Sequence, residues 1–181
     1  MWVQGYNKRV DEINKSLYDT LFKNMDKEME VIVACDSQQY PYHTKMTSIV
    51  VVRYFSKGCT FFVKSEKIPR IGRIIPKGEK FGPQDMAFLR LRLLEEASNI
   101  IETARFVEPI VRMVEEDHFE KTGRIQMIGF HTEADVHTDA KEVSNAFLKE
   151  IVGYIRGCGF EVRAKPDAMM ASNAADKFAK K

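Results

Sequence analysis

Apolar positions recur along the chain with two different periods, and the places where one period gives way to the other mark out its elements. Val10, Ile13, Leu17, Leu21 and Phe22 stand at helical spacing with charges between them, which predicts an amphipathic helix over 7–25. Three runs of strand type follow: 31–35, 47–55 around the core I-V-V-V, and 60–63, the last two joined by the turn S-K-G-C. Residues 65–83 mix proline, glycine and basic side chains and read as a basic loop. Pro83 then opens a long helix, because proline lacks an N–H where the first helical turn needs none; Met86, Leu89, Leu93, Ala97, Ile100 and Ala104 form its apolar stripe. Pro109 predicts a second, shorter helix through Val111 and Val114, ended before K-T-G-R. An extended segment over 124–139 reads as one or two strands. Residues 141–157 return to helical spacing and close on G-C-G, 160–164 form a short strand, and K-P-D begins a terminal helix.

Three meandering strands followed by crossover units predict an α/β fold, a mixed five-stranded sheet flanked by helices with an extra N-terminal helix. Residues 1–30 read as an N-terminal helical flank and 31–181 as the domain proper. A chain of 181 residues, 44% of them hydrophobic, suits one such domain.

Charge and cysteine content narrow the function only a little. Twenty-eight basic and 26 acidic side chains give a net charge of +2, so binding to nucleic acid would need a local basic patch. Cys35, Cys59 and Cys158 are too few and too far apart for a disulfide framework or a zinc knuckle, and predict a reducing, cytoplasmic setting. Apolar runs are too short to span a membrane, and the first residues carry no apolar signal core. Neither a glycine-rich phosphate loop nor a serine nucleophile elbow is present.

The chemistry is in the acids. A carboxylate closing an apolar strand calls for a counter-charge or a cation, and Asp36 follows V-I-V-A-C directly. In a sheet of this topology the first and fourth strands are parallel neighbours, and functional groups gather beyond their ends. Asp36 is expected to end the first of them and Asp139 the fourth. Glu133, Asp135, His137 and Asp139 share one face of that strand, which reads either as a solvated edge or as a functional one. At 100° per residue Glu96 falls on the margin of the long helix's stripe and Glu95 on its wet side; Glu96 either leans over the sheet or pairs with Arg92. Asp167 and Asp176 lie in the terminal segment, Asp167 at a position that also suits a helix start. Lys64, Lys67, Arg70, Arg73, Lys77 and Lys80 could grip a phosphate backbone or merely solvate a loop.

The pieces V-A-C-D-S-Q, V-H-T-D, E-I-V-G-Y-I-R-G-C-G-F and K-P-D-A-M-M-A-S-N-A-A-D-K resemble the YkuK-type bacterial family of unknown function, classed as ribonuclease H-like. That resemblance implies a ribonuclease H-like fold with four acids, carried over onto Asp36, Glu96, Asp139 and either Asp176 or Asp167. It implies catalysis and metal binding at those residues with Mg²⁺ or Mn²⁺ as cofactor, and RNA, an RNA–DNA hybrid or structured DNA as substrate, cut by a two-metal mechanism. The alternative is a catalytically inactive module of the same fold that binds nucleic acid or supports assembly.

Overall fold

The computed structural model describes residues 1–5, 8–10 (backbone), 12–55, 58–76 and 78–168. Strands β1 (Trp2–Gln4), β2 (Lys8–Val10), β3 (Met29–Gln39), β4 (His43–Tyr54), β5 (Cys59–Pro69), β6 (Gly129–His137) and β7 (Val162–Lys165) form one sheet in the order β2-β1-β5-β4-β3-β6-β7. The five predicted strands are all present as β3 to β7, and the N-terminal hairpin extends the sheet to seven. That hairpin escaped the sequence pattern because each of its strands is three residues long. β1 pairs with β5, so the N-terminal flank contributes to the sheet as well as a helix. β3, β4 and β5 form an antiparallel meander, whereas β3, β6 and β7 run parallel, as expected when helical crossovers join them.

β3 is an interior strand between β4 and β6 and is buried on both faces, which explains its unbroken apolar run. Val31, Val33 and Cys35 face the helices, packing with Leu17 and Leu21 of α1 (Ile13–Phe22), with Leu93, Ala97 and Ile100 of α2 (Pro83–Thr122), and with Ile151 and Ile155 of α3 (Leu148–Gly157). Ile32 and Ala34 point the other way and join Ile49, Val51 and Val63. None of the helices among the described residues is long and apolar enough to cross a membrane.

Two expectations change. The helix predicted to restart at Pro109 is continuous: α2 runs for 40 residues with Pro109 inside it. A proline there forfeits one backbone hydrogen bond and crowds the carbonyl four residues back, costing about 3 kcal/mol. Val107, Val111 and Val114, buried on either side of it, keep the apolar stripe in phase and outweigh that cost. The loop expected from residue 65 begins later, because β5 continues to Pro69 opposite His43.

Replacing Pro109 by alanine restores the missing donor without removing buried surface, and should stabilise the protein by about 2 kcal/mol. Thermal unfolding should then show a midpoint several degrees higher; an unchanged or lower midpoint would mean that the ring itself packs in a way alanine cannot replace.

Candidate functional site

The site lies where β3 parts from β6. Their parallel pairing runs from Glu30 opposite Gly129 to Ala34 opposite Glu133 and then stops, while β3 continues along β4 as far as Gln39 opposite Thr44. Asp36 therefore stands within a strand rather than at its end. It is at the mouth of the cleft that opens when one neighbour leaves. Asp36 and Asp135 each stand two residues past the last position at which their strands pair, whereas Asp139 lies beyond the end of β6. β6 also advances three residues, from Ala134 to His137, while β7 advances one, from Ala164 to Lys165. Such a bulge redirects side chains at a sheet's working edge, and here Asp135 forms an ion pair with Lys165.

Glu96 closes the cleft from above. It lies on the buried stripe of α2 between Leu93 and Ala97, only 5% exposed, while Glu95 faces solvent. The Ser37 hydroxyl donates to Glu96 Oε1 at 2.5 Å, and Arg92 Nε lies 4.0 Å from the same oxygen. Burial first, then the negative charge of Asp36 and, least, that of Asp135, push the carboxyl up to about 8 against the opposing effects of Arg92 and Ser37. Asp36 accepts the Ser37 backbone N–H at 2.8 Å. Because successive strand residues project to opposite faces, Ser37 touches Glu96 while Asp36 acts on it through the field. Among the described residues no group of three His, Cys, Asp or Glu side chains is spaced to share one ion. Beside them, burial holds the Cys35 thiol well above its ordinary range, with Glu96 adding to the shift, so this cysteine is an inert part of the core.

The remaining expected acids fall elsewhere. Asp139 is exposed in the turn after β6, where Oδ1 accepts the Lys141 backbone N–H at 2.9 Å. Asp167 is exposed just past the cis Lys165–Pro166 bond, and Asp176 lies outside the described residues. The ionisable face of β6 is not a wet edge. His131 and Glu133 are buried, with His131 Nδ1 3.7 Å from Glu30 Oε2 and His131 Nε2 3.8 Å from Glu133 Oε1, and Arg53 caps Glu30 at 2.9 Å.

Two of the basic loop's side chains are occupied by its own structure, and Lys77 lies outside the described residues. Arg70 Nη1 donates to the Pro41 carbonyl at 2.8 Å, and Arg73 grips Asp85 at 2.9 and 3.0 Å and Glu79 at 2.5 Å. These contacts hold Asp85 below the usual carboxylate range, Arg73 first and the Gly82 N–H second. Ser37 is a contributor that sequence reasoning gave no role, and Lys165, read as part of a terminal basic cluster, pairs instead with Asp135. Ser37 was visible in D-S-Q, but its partner 59 residues away was not.

A family model described as Ribonuclease H-like matches residues 12–180. No curated protein and no solved structure gives a significant match.

A raised acid binds its proton in the folded state at a pH where the unfolded chain has lost it. The resulting stability is fully present below the ordinary value of 4.5 and disappears as pH rises to about 8. In the presence of a chelator, Glu96→Gln should therefore flatten the pH dependence of unfolding over that window, and should stabilise the protein at pH 8.5 by a few kcal/mol relative to wild type. Denaturant melts at pH 5, 7 and 8.5 check this; parallel wild-type and variant curves would contradict it.

Proposed function

Because the chain belongs to the ribonuclease H-like family, we propose that it is a divalent-metal-dependent nuclease hydrolysing phosphodiester bonds in RNA, an RNA–DNA hybrid or structured DNA. The observation carrying this reading is Glu96, a buried carboxyl beside two further aspartates and short of positive charge. Buried acids in that state gain most from a hard cation, and the donor set is all carboxylate oxygen, as magnesium or manganese prefers. In this reading Asp36 and Asp135 would hold the ion from the two diverging strands, and Glu96, on the helix face, would have to shift toward them to join it. Asp176, or Asp167 in its place, completes the set, while Asp139 serves its turn. When bound, the ion supplies an activated water and neutralises charge at the leaving oxygen.

The protein's own groups have distinct tasks. Ser37 orients the Glu96 carboxyl by donating to one of its oxygens, which leaves the other to accept a proton or a ligand. Arg92 offers a positive charge to an incoming phosphate. Lys165 pairs with Asp135 and would have to release it for a divalent cation to be held there.

One observation favours a second reading. Lys165 already supplies a cation to Asp135, as it would in a member of the family that has lost its metal and kept only a nucleic-acid-binding or assembly role.

Calorimetric titration with Mn²⁺ separates the two. The nuclease reading predicts saturable binding that is lost in both Asp36→Asn and Asp135→Asn, together with Mn²⁺-dependent cleavage of a labelled RNA or hybrid that falls by about two orders of magnitude or more in either variant. Absence of Mn²⁺ binding, with nucleic acid still bound, would establish the second.

A further inference from the structure

Beside the carboxylates, on the helix side of β3, lies a cavity of about 270 Å³ that the proposed chemistry does not use. Its wall includes Ser37 and Gln39 from the strand, Phe81 and Arg73 from the loop, and Phe88 and Arg92 from α2. Ser37 is shared: the side chain that bonds Glu96 also lines this space. A larger cavity of 520 Å³ by Trp2, Ile13 and Phe106 lies apart from every acid named above.

The smaller cavity is preformed. Its roof, the segment after β5, is fastened by Gln39 Nε2 donating to the Ile71 carbonyl, by Ile71 N–H donating to Thr44 Oγ1 at 3.1 Å, and by the Arg73–Asp85 pair. Gly72 allows the close approach: its φ is +78°, and a Cβ there would come within 2.6 Å of Phe88 Cβ. The walls combine two aromatic rings with amide and hydroxyl groups, a mixture that suits a flat heterocycle with a polar edge. Its volume sits at the lower end of small-ligand pockets, with room for one such unit.

Arg92 gives the cavity its sign. Its Nε is buried without a hydrogen-bond partner, a costly condition that a ligand oxygen would relieve. Glu96 Oε1 lies 4.0 Å from that nitrogen, too far to accept a hydrogen bond from it, whereas Arg73 is already committed to Asp85 and Glu79. An anion attached to an aromatic ring fits both features at once.

We infer that this cavity receives one unpaired nucleotide of the substrate strand, its base against Phe81 and Phe88 and its phosphate at Arg92, so that the adjoining phosphodiester is delivered to the cleft. This deepens the nuclease reading and rests on it for the cleavage step. It selects single-stranded or frayed nucleic acid over an intact duplex, because a paired base cannot enter a space that admits one ring.

The test is binding in EDTA, measured by fluorescence anisotropy with labelled oligothymidylate, oligouridylate and a blunt hairpin duplex. Phe81 is partly exposed at the rim, so Phe81→Ala should leave the melting temperature unchanged and weaken binding of both single strands about tenfold, with little effect on the duplex. Phe81→Trp should retain affinity and show quenched indole emission when a single strand is added, but not with the duplex. Preference for one of the two single strands would tell RNA from DNA. Equal weakening for single strand and duplex, no weakening at all, or no binding by the wild type would overturn the inference. If Phe81→Ala abolishes single-strand binding while Mn²⁺-dependent cleavage is absent from the wild type, the cavity stands and the nuclease reading falls. If cleavage is present and indifferent to Phe81, the reverse holds.

Discussion

A carboxyl group buried under a helix, held by one serine hydroxyl and faced by more negative than positive charge, is the constraint around which this end of the molecule is built. Glu96 lies in the middle of the apolar stripe of α2, a place normally given to leucine or alanine. Leaving an acid there is unfavourable unless it is neutralised by a proton or by a cation, and both the pH-sensitive stability and the metal chemistry proposed here are consequences of that one choice. The fold supplies the means: β3 loses β6 as a neighbour after Ala34, and the space between them is what Glu96 overlooks.

The sheet explains why that space exists at this point. In an open α/β sheet a crevice forms where the connections on two adjacent strands diverge, and β3 turns into the antiparallel meander while β6 leads into the crossover to β7. The bulge in β6 sharpens the divergence and brings Lys165 to Asp135. A single acid on each diverging strand, with a third on the covering helix, therefore follows from topology. The loop after β5 completes the surroundings by folding over Phe88, and it spends two of its arginines on fixing itself in place.

Much of this was legible in the sequence, and the failures have identifiable causes. The long apolar run of β3 and the stripe of α2 gave those elements directly, and the helical phase separated buried Glu96 from exposed Glu95, because both signals depend only on local periodicity. Pro109 misled because its local cost is real, yet it is overridden by Val107, Val111 and Val114, whose burial only the folded chain displays. Asp139 was favoured over Asp135 because strand ends were judged from turn residues, whereas the register between two strands nearly a hundred residues apart is set by packing. Glu133 read equally well as a wet face; its burial beside His131 depends on partners that periodicity does not reveal. The basic loop resembled a phosphate grip by composition alone, and only the contacts of Arg70 and Arg73 with Pro41, Asp85 and Glu79 show where those charges go.

The most direct measurement is a ¹³C NMR titration of the Glu96 side-chain carboxyl, assigned through its loss in Glu96→Gln and followed without and with Mg²⁺. The account predicts a midpoint near 8 in the metal-free protein and a fall of more than one pH unit when the ion is added, since a cation and a proton compete for the same buried charge. A midpoint in the ordinary carboxylate range, indifferent to Mg²⁺, would contradict it.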